Sequence, residues 1–354
     1  MSAIETIDTV DAQSLARFDA VIDVRSPSEF AEDHAPGAVN LPVLDDEERA
    51  RVGTIYVQES PFLARRLGAA LVARNIARHL ETALADKEKS FRPLVYCWRG
   101  GQRSNAMATI LSQVGWRAGL VAGGYKTYRR RVVSELYDAV LPHRLILLDG
   151  DTGSGKTDIL KLAAIRGVQV VDLEGLAAHR GSLFGGIPGT PQPSQKMFES
   201  RLLAAFEGLD PSRPVLVEAE SSKIGERFVP PAVWAAMATA PRIELQASAA
   251  ERAAYLVRVY ADMVADPAET DRLLQRLPRT MARVHIETWR AQAAAGEFAA
   301  LAEGLLTEHY DPAYRRSTRD EARPQLGAVT LPSLDEPNLA VAADRVAALI
   351  GSAP

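Results

Sequence analysis

The residues with the clearest chemical potential surround Cys97, the single cysteine of the chain. A short apolar run, Pro93–Tyr96, predicts a buried strand that ends at this cysteine, and a glycine-containing loop then leads to a predicted helix over 105–114. Backbone N–H groups and a helix N-terminus at such a junction favour the thiolate, which is the nucleophilic form of cysteine. We therefore predict that Cys97 and Arg103 are catalytic, and that the anion-binding loop contains Trp98, Arg99, Gly100, Gly101, Gln102 and Ser104.

A second site is predicted at residues 150–157, GDTGSGKT, which fit the P-loop pattern G-x-x-x-x-G-K-[ST]. An apolar strand pattern over 145–148 precedes the motif and a helical pattern over 158–165 follows it, as the motif requires. In such a loop the N–H groups point at phosphate oxygens, the lysine adds a positive charge and the threonine hydroxyl can ligate Mg²⁺. The residues predicted to bind a diphosphate are Gly150, Thr152, Gly153, Ser154, Gly155, Lys156 and Thr157.

Two further segments follow predicted strands in this half of the chain. After the strand pattern over 168–173 comes a glycine-rich connection, a location where open α/β sheets bind ligands. The strand pattern over 214–217 ends in glutamates that either support a metal ion, as a Walker B carboxylate does, or have a structural role. The predicted substrate-contact residues of these segments are His179, Arg180, Ser182, Glu218 and Glu220.

Composition limits the class of protein. The chain has 354 residues, of which 47% are hydrophobic, enough for two domains with separate cores. One cysteine excludes an internal disulfide and fits the reducing cytoplasm, where we expect the protein to act. The acidic, polar start does not resemble a signal peptide, and no apolar run reaches the roughly 20 residues of a membrane span. The net charge of -4 excludes a basic nucleic-acid binder, so an RNA site would be a local patch.

Strand and helix patterns alternate along the chain, which predicts parallel sheets and an α/β fold class. We predict a first domain over 1–138, with a long insertion at about 45–92. A P-loop NTPase-like domain follows over 143–325, in which alanine- and arginine-rich patterns over 249–305 form a helical lobe, and a strand and a helix occupy 326–354.

Three stretches combine arginine with apolar or aromatic residues. The helical pattern over 62–81 is either a covering helix with a solvated basic face or a phosphate-contacting surface for RNA. An arginine run near residue 130 and an aromatic–basic cluster over 310–317 allow the same RNA interpretation. The residues predicted to contact RNA are Arg129, Arg130, Tyr310, Tyr314, Arg315 and Arg316.

The first domain resembles the rhodanese family. The segments DVRSPSEF, HAPGAVNLP, the strand ending in Cys97 and VAGG occur in that family's order. The resemblance implies that Cys97 carries sulfur or selenium as a persulfide-like species and that Arg103 clamps the anion, whereas Asp23 and Arg25 form a structural ion pair. Many rhodaneses have four residues between the cysteine and the arginine. Here five intervene, as in cysteine-dependent phosphatases, so a phosphatase is an alternative, although no general acid is evident.

The whole chain resembles the tRNA 2-selenouridine synthase family. The segments that carry the resemblance are CWRGGQRS, GDTGSGKT, DLEGLAAHRGSLFG, QPSQKMFE, VEAESSKIG and YDPAYRRS. Ala219 departs from the acidic residue expected at its position. The resemblance implies that a wobble 2-thiouridine of tRNA is S-geranylated and then converted to 2-selenouridine. It also implies that Cys97 takes selenium or activates selenophosphate, and that the P-loop holds geranyl diphosphate.

The same resemblance sets the expected partners. They are a tRNA with a 2-thiolated wobble uridine and an enzyme that produces selenophosphate. Selenophosphate and geranyl diphosphate are co-substrates, Mg²⁺ is an optional ion, and no tightly bound cofactor or resident metal is expected. Two other classes stay open: a rhodanese-gated NTPase or kinase, in which Lys156 and Thr157 serve ATP, and a non-catalytic module that binds a sulfur-carrier protein.

Overall fold

The computed structural model describes residues 4–182, 184–277, 282–312 and 323–352. The chain divides into two compact units: Met1–Ala139 with Pro193–Glu207, and Val140–Gln192 with Gly208–Pro354. We call these the first unit and the second unit. Each contains a five-stranded sheet in which all paired strands are parallel. This confirms the predicted α/β class.

The sheet of the first unit has the strand order β1-β5-β4-β2-β3. All residues of the central strand β4 are buried, as expected for a parallel strand covered on both faces. Its pairing with β2 sets Val95 opposite Ile22 and brings the ends of both strands to one edge of the sheet. The elements are β1 Glu5–Ile7, α1 Ala12–Leu15, β2 Ala20–Asp23, α2 Pro27–Glu32, β3 Ala38–Asn40, α3 Asp46–Gln58, α4 Pro61–Glu81, β4 Pro93–Tyr96, α5 Gln102–Val114, β5 Gly119–Val121, α6 Tyr125–Val133 and a π-helical turn Ser134–Asp138.

The insertion forms a helical hairpin of α3 and α4. Asp45 and Glu48 cap each other's backbone N–H groups at the start of α3, and the Ser60 side chain caps the start of α4. Leu71 and Ile76 of α4 are buried in the core of the first unit. The arginines of α4 are exposed, so this helix covers the core with its apolar face and presents a basic face to solvent.

Helix α9, Gln195–Glu207, belongs to the first unit although it follows the P-loop strand along the chain. Phe198 and Leu202, one helical turn apart, are fully buried. Ion pairs join Glu199 of this helix to Arg129, and Glu207 to Arg131. The domain boundaries expected from the sequence follow chain order, which gives no sign that this amphipathic helix packs outside the P-loop unit.

The sheet of the second unit has the strand order β12-β11-β6-β8-β7. Strand β12, which begins at Gln325, pairs with β11, so the C-terminal segment completes this sheet. Within the described part of the chain the elements are β6 Leu145–Asp149, α7 Lys156–Ile165, β7 Gln169–Val171, α8 Leu173–Ala177, β8 Val215–Glu218, β9 Lys223–Ile224, β10 Arg227–Phe228, α10 Pro231–Thr239, β11 Arg242–Gln246, α11 Ala249–Val259, α12 Ala261–Val264, α13 Pro267–Leu274, α14 Arg283–Ala295, α15 Phe298–Leu305, a π-helical turn Leu306–Tyr310, β12 Gln325–Thr330 and α16 Glu336–Gly351.

Helices α11 to α15 form the predicted helical lobe. Their apolar residues make a cluster that includes Leu274, Trp289, Leu301 and Leu305 and is separate from the core next to the sheet. Within the described ranges, no helix has both the length and the apolar character needed to cross a bilayer.

Candidate active site

Polar donors surround the Cys97 sulfur even though the residue is only 3% exposed. The Gly101 N–H lies 3.3 Å from Sγ and the Ser104 hydroxyl 3.2 Å from it. Burial raises the pKa of the Cys97 thiol, but hydrogen bonds from the Ser104 hydroxyl and from loop N–H groups outweigh burial and bring the pKa below its ordinary value. Although Cys97 belongs to the hydrophobic core cluster of the first unit, its sulfur accepts hydrogen bonds that stabilise a thiolate.

The turn after β5 fixes the shape of the cysteine loop. Gly124 has a φ of +61°, and a Cβ on it would overlap the Cys97 carbonyl oxygen and lie 2.5 Å from the Gly100 nitrogen. The next residue, Tyr125, donates its N–H to the same Cys97 oxygen at 2.8 Å. The VAGG segment thus has a physical role, since only glycine permits this close approach of two backbones.

A buried ion pair supports the loop from below. Arg25 contacts Asp23 at 2.6 Å and also donates to the Asp33 carbonyl at 2.6 Å. Its guanidinium lies 4.1 Å from the centre of the Tyr125 ring, and that ring stacks on Trp98. The pair therefore holds the platform on which the cysteine loop rests, in agreement with the structural role expected for Asp23 and Arg25.

Arg103 is held by a carboxylate that the sequence interpretation did not assign to the site. Its Nη1 donates to Glu29 Oε2 at 2.8 Å, and Arg49 Nε donates to the same oxygen at 2.9 Å. Burial raises the pKa of Glu29, but the two arginines and the Ser26 N–H together lower it below its ordinary value. Two guanidinium groups thus share the Glu29 carboxylate, which fixes the position of Arg103 beside the loop. Because Arg99, Gly101 and Gln102 are exposed, this side of the loop is open to solvent.

The P-loop of the second unit is braced by the helical lobe. Gly153 has a φ of +81°, and a Cβ on it would lie 2.9 Å from Leu256 Cγ. Arg252, which makes a two-pronged ion pair with Asp311, donates to the Thr152 carbonyl at 3.0 Å. Lys156 Nζ reaches back to the Gly150 carbonyl at 2.7 Å. The lysine ammonium thus lies against the glycine-rich backbone of the loop, as in loops that bind phosphate groups.

Glu174 is the carboxylate that meets the P-loop threonine. The Thr157 hydroxyl donates to Glu174 Oε2 at 3.0 Å. Burial and repulsion from Glu220 raise the pKa of Glu174 to about 8, although Lys156 and the Thr157 hydroxyl oppose the rise. Burial also raises the pKa of Glu220. Near neutral pH the Glu174 carboxyl is therefore protonated.

Glu218, the other predicted carboxylate, has a different environment. It is fully buried at the end of β8, and its Oε2 accepts the Leu173 N–H at 3.0 Å. Burial raises its pKa well above the ordinary value. Glu218 therefore positions the start of α8, whereas Glu174 and Glu220 lie beside Lys156. Glu174 lies in the first turn of α8, one residue beyond the strand predicted over 168–173, and that position was the available sequence signal.

The glycine-rich connection after α8 is ordered by helices of the lobe. Arg180 pairs with Asp262 at 3.2 Å and lies over the Tyr260 ring at 4.7 Å. The Ser182 and Tyr260 hydroxyls are 2.9 Å apart. His179 is half-buried, and burial together with the adjacent arginine lowers its pKa, which favours a neutral imidazole. The structure therefore brings Arg180 and Ser182 to one side chain of the lobe, Tyr260.

An apolar cavity adjoins the P-loop. Its volume is about 610 Å³, including the part open to solvent. Thr152 and Ser182 belong to its wall, and the rest is mostly apolar, including Leu256, Leu301, Ala302 and Leu305. A phosphate-binding loop and a hydrophobic chamber therefore share one border.

The described residues that were predicted to contact RNA have different environments. Arg129 is engaged with Glu199, whereas Arg130 is exposed. Tyr310 lines the apolar cavity and meets Phe184 edge to face. The predictions for Tyr314, Arg315 and Arg316 fall outside the described residues. The described residues include no group of three or more His, Cys, Asp or Glu side chains that could hold a metal ion.

Two family models match the chain. A rhodanese-like domain matches residues 6–131, and a tRNA 2-selenouridine synthase AAA domain matches residues 143–272. The first match contains the Cys97 loop and the hairpin, and the second contains the P-loop and both glutamates beside it.

Curated relatives match as well, each named tRNA 2-selenouridine synthase. The protein of Nitrosomonas europaea is 42% identical over 59% of this chain and 55% of its own length, so the match spans about half of that relative. The protein of Cupriavidus pinatubonensis is 34% identical over 88% of this chain and 93% of its own length. The protein of Cupriavidus necator is 35% identical over 91% and 96%.

Proposed function

The chain belongs to the tRNA 2-selenouridine synthase family, and we propose that it replaces the C2 sulfur of a 2-thiolated wobble uridine in tRNA with selenium by way of an S-geranyl intermediate. Geranyl diphosphate and selenophosphate are the co-substrates. The observation that carries this proposal is the apolar cavity that borders the P-loop at Thr152. A nucleoside triphosphate has no hydrocarbon tail to fill such a chamber, whereas a prenyl diphosphate has both a diphosphate and a tail.

The geranyl step uses the second unit. The uridine sulfur attacks the first carbon of the geranyl chain, the carbon–oxygen bond breaks, diphosphate leaves with the electron pair, and the base loses its N3 proton. Lys156 and the loop N–H groups stabilise the charge on the leaving diphosphate. Burial is worth about 0.8 kcal/mol per methylene, so a ten-carbon tail in the cavity contributes several kcal/mol to donor binding.

The selenium step uses the first unit. The Cys97 thiolate attacks the phosphorus of selenophosphate, the phosphorus–selenium bond breaks, and selenide leaves. Selenide then attacks C2 of the base and expels geranylthiolate, a far better leaving group than the sulfur of a thione. Water cleaves the bond between Sγ and phosphorus and releases phosphate. The lowered pKa of Cys97 and the positive charge of Arg103 support this role.

Magnesium suits the second unit as an optional ion. Thr157 is the residue that would hold it, because its hydroxyl can ligate Mg²⁺ while phosphate oxygens and water fill the remaining positions. When bound, the ion would neutralise charge on the departing diphosphate. The proposed substrates place the reaction in the cytoplasm and require a separate enzyme that supplies selenophosphate.

The decisive experiment is mass spectrometry of the wobble base after incubation of the protein with thiolated tRNA, geranyl diphosphate and selenophosphate. We expect the wild type to form 2-selenouridine. Cys97→Ala should accumulate S-geranyl-2-thiouridine and form no selenouridine, because only the second step needs the thiolate. Lys156→Ala should lose geranylation first, with weaker binding of geranyl diphosphate.

Three results would contradict this function. Equal loss of both steps in Cys97→Ala would refute the division of labour between the two units. Turnover of ATP that tRNA stimulates, with no geranyl transfer, would favour the NTPase class. Rapid hydrolysis of a simple phosphoryl ester by the Cys97 loop would favour a phosphatase.

A further inference from the structure

The tip of the α3–α4 hairpin exposes a cluster of large apolar side chains. Tyr56 is 55% exposed and Phe62 is 66% exposed, and Val57 and Leu63 beside them are also exposed. All four lie in the eight-residue span 56–63, two on each side of the turn between the helices. Exposed apolar groups that are contiguous rather than scattered mark an interaction site. Two of the four side chains are aromatic rings, which can stack on planar groups such as bases, whereas aliphatic side chains cannot.

The charge around this tip is net positive, because its exposed arginines outnumber the exposed Glu59. Arg51, Arg65 and Arg66 flank the apolar cluster, Arg74 and Arg78 continue along α4, and all five are exposed. Among the described residues, none of the five pairs with a carboxylate within ion-pair distance. Arginine next to exposed aromatic rings is the composition of surfaces that bind single-stranded nucleic acid, because rings stack on bases while guanidinium groups contact phosphates. The positive charge therefore favours an anionic partner, and the exposed rings beside it favour RNA, whose bases can stack on them.

The other end of the hairpin is anchored at the Cys97 site. The Asp46 carboxylate at the start of α3 accepts hydrogen bonds from the Ser28 N–H at 3.2 Å and from the Ser28 hydroxyl at 2.5 Å. One turn later, Arg49 shares the Glu29 carboxylate with Arg103. The hairpin thus starts beside the arginine of the cysteine loop.

Distance along α3 connects the anchor to the tip. At about 1.5 Å per residue, Tyr56 lies roughly 15 Å along the helix from Asp46. A nucleic-acid strand rises about 3.4 Å per nucleotide, so this span corresponds to about four nucleotides. A nucleotide held at Cys97 would therefore have neighbours of its own loop at the level of the tip.

We propose that the α3–α4 hairpin is an RNA-binding arm that stacks unpaired bases of the anticodon loop on Tyr56 and Phe62 while the wobble uridine occupies the Cys97 site. Arg65 and Arg66 neutralise phosphates of the same loop. This inference rests on the proposed function, since that function requires the wobble nucleotide of tRNA to reach Cys97. It assigns to the insertion a role in placing the substrate, in addition to covering the core.

The test is the affinity of the full-length protein for 2-thiolated tRNA at fixed salt, measured by fluorescence anisotropy. Loss of a base–aromatic stack weakens binding by about fivefold or more, so the double variant Tyr56→Ala/Phe62→Ala should bind at least about 25-fold more weakly. Phe62→Trp should retain affinity, and Phe62→Leu should lose it. The matched control is Phe228→Ala in the second unit, where the ring is similarly exposed at 56%, and it should bind as the wild type does.

Salt dependence tests the arginines separately. The slope of log K against log salt should become shallower by about 0.7 for each phosphate of a single strand that the protein no longer neutralises, so Arg65→Ala/Arg66→Ala should reduce it by roughly 1.4. Affinity for geranyl diphosphate and the rate of Cys97 alkylation by iodoacetamide should match the wild type in every arm variant, which shows that the protein is folded.

The inference is overturned if the double aromatic variant binds tRNA with wild-type affinity while the wild type modifies that tRNA. It is also overturned if Phe62→Leu binds as tightly as the wild type, or if the double variant changes only self-association in sedimentation, because the tip would then be a protein contact. A wild-type protein that neither binds nor modifies tRNA would refute the proposed function itself.

Discussion

The carboxyl group of Glu174 should make geranyl diphosphate binding depend on pH. At neutral pH this group is protonated, because its pKa is raised to about 8. Above that pH a negative charge appears beside Thr157, Lys156 and the bound diphosphate. Two unit charges about 5 Å apart interact by about 3 kcal/mol at an effective dielectric of about 20, which suppresses binding to the ionised form by roughly 100-fold. The wild type should therefore bind with constant affinity from pH 6.5 to 7.5 and about tenfold more weakly for each pH unit above 8.

Calorimetric titration of geranyl diphosphate from pH 6.5 to 9.5 measures this effect. A phosphate group completes its ionisation near pH 6, so the ligand contributes little to the change above pH 7.5. Glu174→Gln keeps the size and the neutral form of the side chain and should bind with the same affinity at pH 7 and at pH 9. If the variant shows the same loss as the wild type at high pH, Glu174 is not the group that titrates and the reasoning is refuted.

Stability gives a second readout of the same proton. The folded protein keeps the Glu174 proton up to a pKa of about 8, whereas the unfolded chain releases it near 4.5. The contribution of this group to the free energy of unfolding is therefore complete below pH 4.5 and is lost as the pH rises towards 8, at about 1.4 kcal/mol per pH unit for one proton. The free energy of unfolding in urea should fall by that slope in the wild type relative to Glu174→Gln across this window.

Two further predictions concern the loops of the two units. Gly124→Ala should lower the free energy of unfolding by at least about 2 kcal/mol and slow alkylation of Cys97, because its Cβ would overlap the cysteine loop. The control is Gly37→Ala, at a position with a φ of +70° and open space around it. This variant should lower the free energy of unfolding by only about 1 kcal/mol. An equal loss in both variants by urea unfolding would contradict the close approach. Ala302→Leu should fill the apolar cavity and weaken geranyl diphosphate binding more than about tenfold, whereas the affinity for inorganic diphosphate should stay unchanged. If calorimetry shows an equal loss of affinity for both ligands, the geranyl tail does not bind in this cavity.

The parts of the fold that the sequence predicts are those with local signals. The buried strand before Cys97 and the strand before Gly150 are short apolar runs that end in glycine-rich loops, and both lie where the pattern places them. Helix α5 starts at Gln102, three residues before its predicted start. Gly101 is its N-cap, so Arg103 belongs to the first turn of the helix. The periodicity of apolar residues predicts the existence of a helix more accurately than the residue at which the helix begins.

The parts that sequence interpretation missed depend on contacts between distant residues. Arg103 and Glu29 are 74 positions apart, and Arg49 reaches the same carboxylate from the insertion. Glu174 meets Thr157 only because α8 begins near the P-loop, whereas the Walker B pattern directs attention to Glu218 on β8. The apolar cavity needs side chains from α11, α13 and α15 together, and each helix alone looks like an ordinary amphipathic segment.

The placement of α9 has a consequence for biosynthesis. The first unit gains this helix from residues made after the P-loop strand, so it cannot complete its packing until residue 207 has left the ribosome. Until then the surface of the first unit that packs against α9 is exposed to solvent. In a fragment truncated at residue 139 that surface would stay exposed permanently. The nascent chain must therefore add a late segment to an early unit, and the apolar surface that α9 covers is exposed to aggregation until it does so.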